Sequence, residues 1–193
     1  HQKAKKPILI NELKLIVNVI DKDKNEKNRF KNKALILLGF AGGFRRSELV
    51  AILHEDVDFV PEGVKIFVKR SKTDQSGEGM TKGIPYFSNP NYCPVISLKN
   101  WIEKSEIKNG KIFDMSDKSV ALTIKKYAEK AGLDSKKYSG HSLRSGFATS
   151  TAEFGAEERS IMAMTGHKTT QMVRRYIQEA NLFKNNALNK IKI

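Results

Sequence analysis

The sequence predicts a mainly helical α+β domain that carries one small antiparallel β-sheet. Apolar residues recur at helical spacing up to about residue 53 and again from about residue 95, whereas residues 56–86 switch to a two-residue alternation. The length of 193 residues is enough to bury a real core and falls within the usual range of one domain.

Residues 1–6 are polar and basic and read as a linker. Residues 7–21 place Leu13, Leu15, Ile16, Val19 and Ile20 on a helical stripe, with Asn11 as the expected cap. Residues 25–40 carry a more apolar helical pattern through Phe30, Ala34, Leu37 and Leu38. Ala41-Gly42-Gly43 breaks that helix, and residues 47–53 read as a short one. Val57-Asp58-Phe59-Val60 is an expected strand, ended by Pro61-Glu62-Gly63. Val64, Ile66 and Val68 alternate with Lys65, Phe67 and Lys69, as in a half-buried strand. A polar turn over residues 71–79 leads to a partner strand over residues 82–86. Helical patterns return over about residues 95–104, 117–131, 140–154, 157–164 and 169–177. One domain over residues 7–177 is therefore expected, followed by a tail over residues 178–193. The tail has a sparse apolar set, Leu182, Phe183, Ala187, Leu188 and Ile191. It fits a helix lying on its own domain or one offered to a neighbouring protomer.

Composition narrows the function. A hydrophobic fraction of 39% is that of an ordinary soluble protein, and no apolar run approaches the roughly 20 residues that span a bilayer. No basic-then-apolar signal opens the chain, so the cytoplasm is the expected compartment and no membrane partner is expected. The single cysteine, Cys93, excludes an internal disulfide framework and a cysteine-based zinc cluster. Thirty-five Lys and Arg against 21 Asp and Glu give a net charge of +14. Such an excess favours polyanions, nucleic acid first and an anionic membrane surface second. Its bland counterpart is a surface on which lysine has simply become the common polar residue.

The reactive groups fall in three places. Gly43-Phe44-Arg45-Arg46-Ser47-Glu48-Leu49 sets an arginine just after a glycine pair, with a glutamate three residues later. Ser139-Gly140-His141-Ser142-Leu143-Arg144 opens a helix, where a spacing of three brings His141 and Arg144 to one face. Thr165-Gly166-His167 precedes a short helix that ends in Arg174-Arg175-Tyr176. Together these groups suit phosphoryl transfer without a metal. Attack on a phosphodiester builds negative charge on its non-bridging oxygens, and guanidinium groups stay protonated and donate in a planar fork. A tyrosine hydroxyl, with a reference pKa near 10, needs a proton acceptor and a cationic surround to attack. Histidine is the natural proton carrier at neutral pH. Taken singly, each piece has a plainer reading. His-x-x-Arg is commonly a capping pair, a histidine after glycine a turn residue and tyrosine a half-buried anchor, while Arg45 and Glu48 can be a helical ion pair.

In this order and spacing, the three segments resemble the tyrosine recombinase (phage integrase) family. The family's arginine in a glycine-bounded turn before a Ser-Glu-Leu run matches Arg45, and its His-x-Leu-Arg matches His141-Ser142-Leu143-Arg144. Its Gly-His with a tyrosine nine residues after the histidine matches Gly166-His167 and Tyr176. The resemblance covers nearly the whole chain and implies the catalytic-domain fold of that family. It implies that Tyr176 attacks the phosphate, giving a 3′-phosphotyrosyl link and a free 5′ hydroxyl. Arg45 and Arg144 would stabilise the pentacoordinate phosphate, His141 would assist proton transfer, and His167 would hydrogen-bond the phosphate. The family's proton-donating lysine lies on the hairpin loop; Lys72 is the best match, with Lys69 and Lys82 as competitors. Glu48 would brace Arg45.

The same resemblance implies that neither ATP nor a metal or other cofactor takes part. It implies double-stranded DNA as partner and a homo-tetramer on two paired sites, and it leaves accessory DNA-bending proteins open. Members of the family also carry an N-terminal helical domain that clamps the far face of the DNA. None is expected before Lys6, so the chain is expected to be a fragment. Three rival classes stay on the table: a type IB topoisomerase, a non-catalytic DNA-binding module, and a metal nuclease using His141 and His167.

Overall fold

The computed structural model describes residues 4–69, 77–167 and 169–191. The first half holds α1 (Ile10–Ile20), α2 (Glu26–Ala41), α3 (Arg46–Ala51), β1 (Val57–Val60), β2 (Gly63–Val68) and β3 (Met80–Pro85). The second half holds α4 (Pro94–Ser105), α5 (Asp117–Lys130), α6 (Ser142–Glu153), α7 (Glu158–Thr165) and α8 (Thr170–Asn181). The expected class, mostly helical with a small antiparallel sheet, is the one observed.

Helix α2 is the central strut. From Ala34 to Ala41 every residue is buried, because this helix is covered by α1, α4 and α6 on different sides. Its entry is capped by Asn25, whose side chain accepts from the Asn28 N–H at 2.9 Å. Helix α1 corrects the expected cap. Asn11 lies inside the first turn, and the N-cap is Leu9, whose N–H donates to Glu12 Oε2 at 2.7 Å. A glutamate reaching back does here what a polar cap residue would otherwise do.

The sheet is an antiparallel meander in the order β1-β2-β3. Val64, Ile66 and Val68 face the core, and Lys65 and Phe67 face out, as the alternation requires. Strand β3 begins at Met80, two residues before the expected start, and pairs Ile66 with Lys82 and Val64 with Ile84. That register turns Lys82 inward beside Ile84. Helix α8 also runs past its expected end at residue 177, because Ile177 and Ala180 continue the apolar stripe begun by Val173.

Two clusters of buried side chains organise the molecule. The larger joins α1, α2, α4, α5 and the sheet; the smaller joins α6, α7 and α8 through Phe147, Ala148, Ala152, Ile161 and Val173. Helix α6 belongs to both, with Leu143 in the larger and Phe147 in the smaller. The segments with reactive groups meet at this seam.

Candidate active site

The larger core contributes Arg45, Glu48 and Lys82. Gly42 and Gly43 form the turn between α2 and α3. Gly43 has φ of 56°, a left-handed conformation that disfavours a side chain, and a Cβ there would sit 2.8 Å from Phe147 Cδ1. The turn delivers Arg45 to the N-cap of α3. Glu48 then uses both carboxylate oxygens on this one residue. Its Oε2 accepts from the Arg45 backbone N–H at 2.9 Å, and its Oε1 accepts from the Arg45 guanidinium at 2.8 Å. The Glu48 side chain is 4% exposed, so this bond is made away from water.

Helix α6 contributes Arg144. Its Nη1 donates to the Gly43 carbonyl at 2.9 Å, and its Nη2 lies 3.3 Å from His167 Nε2. A guanidinium can only donate, so His167 Nε2 accepts and the ring proton sits on Nδ1. Nδ1–H donates to Thr165 Oγ1 at 2.7 Å, and that hydroxyl donates onward to the Ile161 carbonyl at 2.9 Å. Burial, with Arg144 and Arg45 adding to it, pushes His167 down to about 4. His167 is therefore neutral at pH 7, in one tautomer and one orientation.

Tyr176, on α8, is half-buried against the smaller cluster. Burial raises its pKa above the usual value near 10, and the Arg144 charge, then that of Arg175, pulls the other way. The hydroxyl is therefore protonated until something accepts its proton. His141 lies exposed at the N-cap of α6, one turn before Arg144.

The electrostatics share one feature. Burial pushes Arg144 down to about 10 and Lys82 down to about 7, and in both cases the other cations add to the effect. Glu48 is the carboxylate that opposes these shifts at Arg144, Lys82 and His167. Cationic groups outnumber the carboxylate in a partly desolvated place, an arrangement that an anion would stabilise. Among the described residues, no group of three or more His, Cys, Asp or Glu could hold a metal ion. No described helix is long and apolar enough to cross a membrane.

The model of the phage integrase family matches residues 8–182, which is most of the chain. The chain belongs to the phage integrase family. A relative from Selenomonas ruminantium, named an integrase/recombinase XerD homolog, is 46% identical over 202 residues. That match covers 98% of this chain and 59% of the relative, so the chain spans about three fifths of the relative's length. In fold it resembles the crystal structure of XerA recombinase, with a TM-score of 0.73 and 20% identity over 100% of this chain and 67% of that one. It also resembles XerH site-specific recombinase in its post-cleavage complex with palindromic difH substrate. There the TM-score is 0.72 at 21% identity, covering 95% of this chain and 54% of that one.

Within this integrase fold, Arg45, Glu48, Arg144, His167 and Tyr176 come to the same seam, with His141 at the rim. Lys72 lies outside the described residues. Of its competitors, Lys69 is an exposed side chain bridging Glu55 and Asp56 at 2.8 and 3.2 Å, whereas Lys82 is buried within the cluster. Thr165 was visible beside Gly166-His167 in the sequence, but its part as the histidine's acceptor was not. A hydroxyl two residues before the histidine was the available signal.

Proposed function

We propose that this chain is the catalytic domain of a tyrosine-type site-specific DNA recombinase, which breaks and rejoins duplex DNA through Tyr176. The observation that carries this reading is the cationic seam itself. Arg45 and Arg144 come from separate elements, are each oriented by a neighbour, and sit with Tyr176 where few carboxylates offset them. A scissile phosphodiester supplies the missing negative charge, and more of it develops as the phosphorus becomes five-coordinate. Binding then favours the transition state over the ground state.

In this scheme the Tyr176 oxygen attacks phosphorus, the bond from phosphorus to the 5′ oxygen breaks, and a 3′-phosphotyrosyl bond forms. The tyrosine proton leaves toward His141 at the rim, and the departing 5′ oxygen takes a proton from Lys72. His167, neutral and hydrogen-bonded to Arg144, orients that guanidinium; this indirect role replaces the expected direct hydrogen bond to the phosphate, because Nε2 accepts from Arg144 and the Nδ1 proton goes to Thr165. The energy of the broken phosphodiester is kept in the tyrosyl bond, so a 5′ hydroxyl from a partner strand can reverse the step without ATP. The guanidinium groups carry the electrostatic load that Mg²⁺ carries in other phosphoryl transfers.

The net charge of +14 supports duplex DNA as the partner, with most contacts to phosphates and a strong dependence on salt. A tetramer on two paired sites is the proposed working unit. The tail supports it, because Leu182, Phe183, Leu188 and Ile191 are all well exposed and have apolar surface to offer a neighbouring protomer. The test of the catalytic reading is a detergent-resistant protein–DNA adduct on nicked duplexes in the presence of chelator. The adduct is expected with the unaltered protein and lost in Tyr176→Phe. DNA binding without any adduct, in a chain that also carries the N-terminal DNA-clamping domain, would favour a binding module instead.

A further inference from the structure

Lys82 occupies a place where the sheet asks for an apolar side chain. It faces inward on β3, opposite Ile66 and beside Ile84, and is 1% exposed. A lysine in such a place carries a desolvation cost, so a core-filling role is poorly served by it. Its contacts lie elsewhere. The ammonium lies 4.3 Å from the centre of the Phe44 ring and donates to the Gly42 carbonyl at 2.8 Å. Arg144 holds the next carbonyl, that of Gly43, at 2.9 Å. Two cations from two different elements thus grip adjacent carbonyls of the turn that ends in Arg45. Phe44 folds back over this turn so closely that a Cβ on Gly42 would collide with the Phe44 ring.

We propose that Lys82 is a positioning residue of the active site, which locks the Gly42-Gly43-Phe44 turn and so aims the Arg45 guanidinium at the scissile phosphate. The proposal rests on the recombinase reading, and it assigns Lys82 a role separate from proton donation to the leaving oxygen. Glu48 bonds both the backbone N–H and the guanidinium of Arg45, so the arginine is held by its carboxylate partner and by the backbone that Lys82 anchors. The burial that pushes Lys82 down to about 7 also ties it to its neighbours, since a bound phosphate favours its charged form.

The test compares Lys82→Met and Lys82→Arg in the full chain by three readouts. The first is thermal unfolding. The second is the NMR signal of the Arg45 Nε–H, assigned by its loss in Arg45→Lys. The third is the rate of adduct formation on nicked duplex, set against the affinity for the same DNA. Lys82→Met relieves the desolvation of a buried charge but leaves the Gly42 carbonyl without its donor, so the variant should still fold and melt about 2–12 °C below the unaltered protein. Its Arg45 signal should shift or broaden, its DNA affinity should hold, and its adduct rate should fall by about 100-fold, the usual cost of losing one aligned donor. Lys82→Arg, which keeps the charge and a donor, should recover the Arg45 signal and much of the rate. An unchanged Arg45 signal and rate in Lys82→Met would overturn the proposal. So would failure of that variant to fold, or an equal loss in Lys82→Arg, either of which marks a packing role. If neither the unaltered protein nor a chain that also carries the N-terminal DNA-clamping domain forms an adduct, the recombinase reading fails, and the Arg45 signal alone still decides the role of Lys82.

Discussion

Replacing Glu48 by glutamine tests how Arg45 is held. Glutamine has nearly the shape of glutamate, but it presents one acceptor where two are in use. One of the two Arg45 bonds, at 2.9 Å from the backbone and 2.8 Å from the guanidinium, must then face an amide that can only donate. Removing one partner of a fully buried ion pair costs about 3–5 kcal/mol. The Arg45 side chain keeps 17% exposure, and water can partly replace the carboxylate, so about 2–3 kcal/mol is the expected loss. For a chain of this size that lowers the melting temperature by about 4–12 °C, and urea unfolding gives the free energy directly. The catalytic loss should be larger, about 100-fold in the single-turnover rate of adduct formation, because the arginine proposed to donate to the phosphate loses its aim. Stability within about 0.5 kcal/mol of the parent and a rate within threefold would refute the reasoning, since surface pairs behave that way.

Three further outcomes follow from the same geometry. Thr165→Val removes the acceptor of the His167 Nδ1–H, so adduct formation should slow while DNA affinity in a gel-shift assay stays level and stability falls by about 1 kcal/mol. Gly43→Ala should cost about 1–3 kcal/mol in urea unfolding, because φ of 56° and the 2.8 Å approach to Phe147 both oppose a methyl group. His167 is held near 4 in the fold against 6.5 when unfolded, so between these values the unfolded chain binds more protons. Stability should therefore rise from pH 4 to pH 6.5, and His167→Asn should flatten that part of the profile; an identical slope in the variant would count against a buried neutral imidazole.

Much of this fold was legible because helical and strand periodicities are local. Leu13, Ile16 and Ile20 on α1 and Val64, Ile66 and Val68 on β2 face the core as their spacing requires. What periodicity does not give is partners. The division into two cores, with α6 shared, depends on which faces meet across the chain. Lys82 shows the limit most clearly. In the sequence it is only a competitor for the hairpin lysine, whereas the Gly42 carbonyl and the Phe44 ring that hold it inside lie about forty residues away along the chain. The cap of α1 was misread because Asn11 is a common cap residue, whereas the group that acts is Glu12 reaching back to Leu9. At the site, Arg45, Arg144, His167 and Tyr176 were legible as a set through order and spacing. The Arg144–His167–Thr165 relay was not, since it is a matter of distances between side chains.

The most direct measurement is the identity of the residue that becomes joined to DNA. Nicked duplexes carrying a labelled 3′ phosphate would be trapped with the protein in chelator, digested, and the labelled peptide sequenced by mass spectrometry. The account predicts a single linked residue, Tyr176, carrying a 3′-phosphoryl nucleotide, with the complementary product ending in a free 5′ hydroxyl. A link through any other residue, or cleavage that persists in Tyr176→Phe, would contradict it.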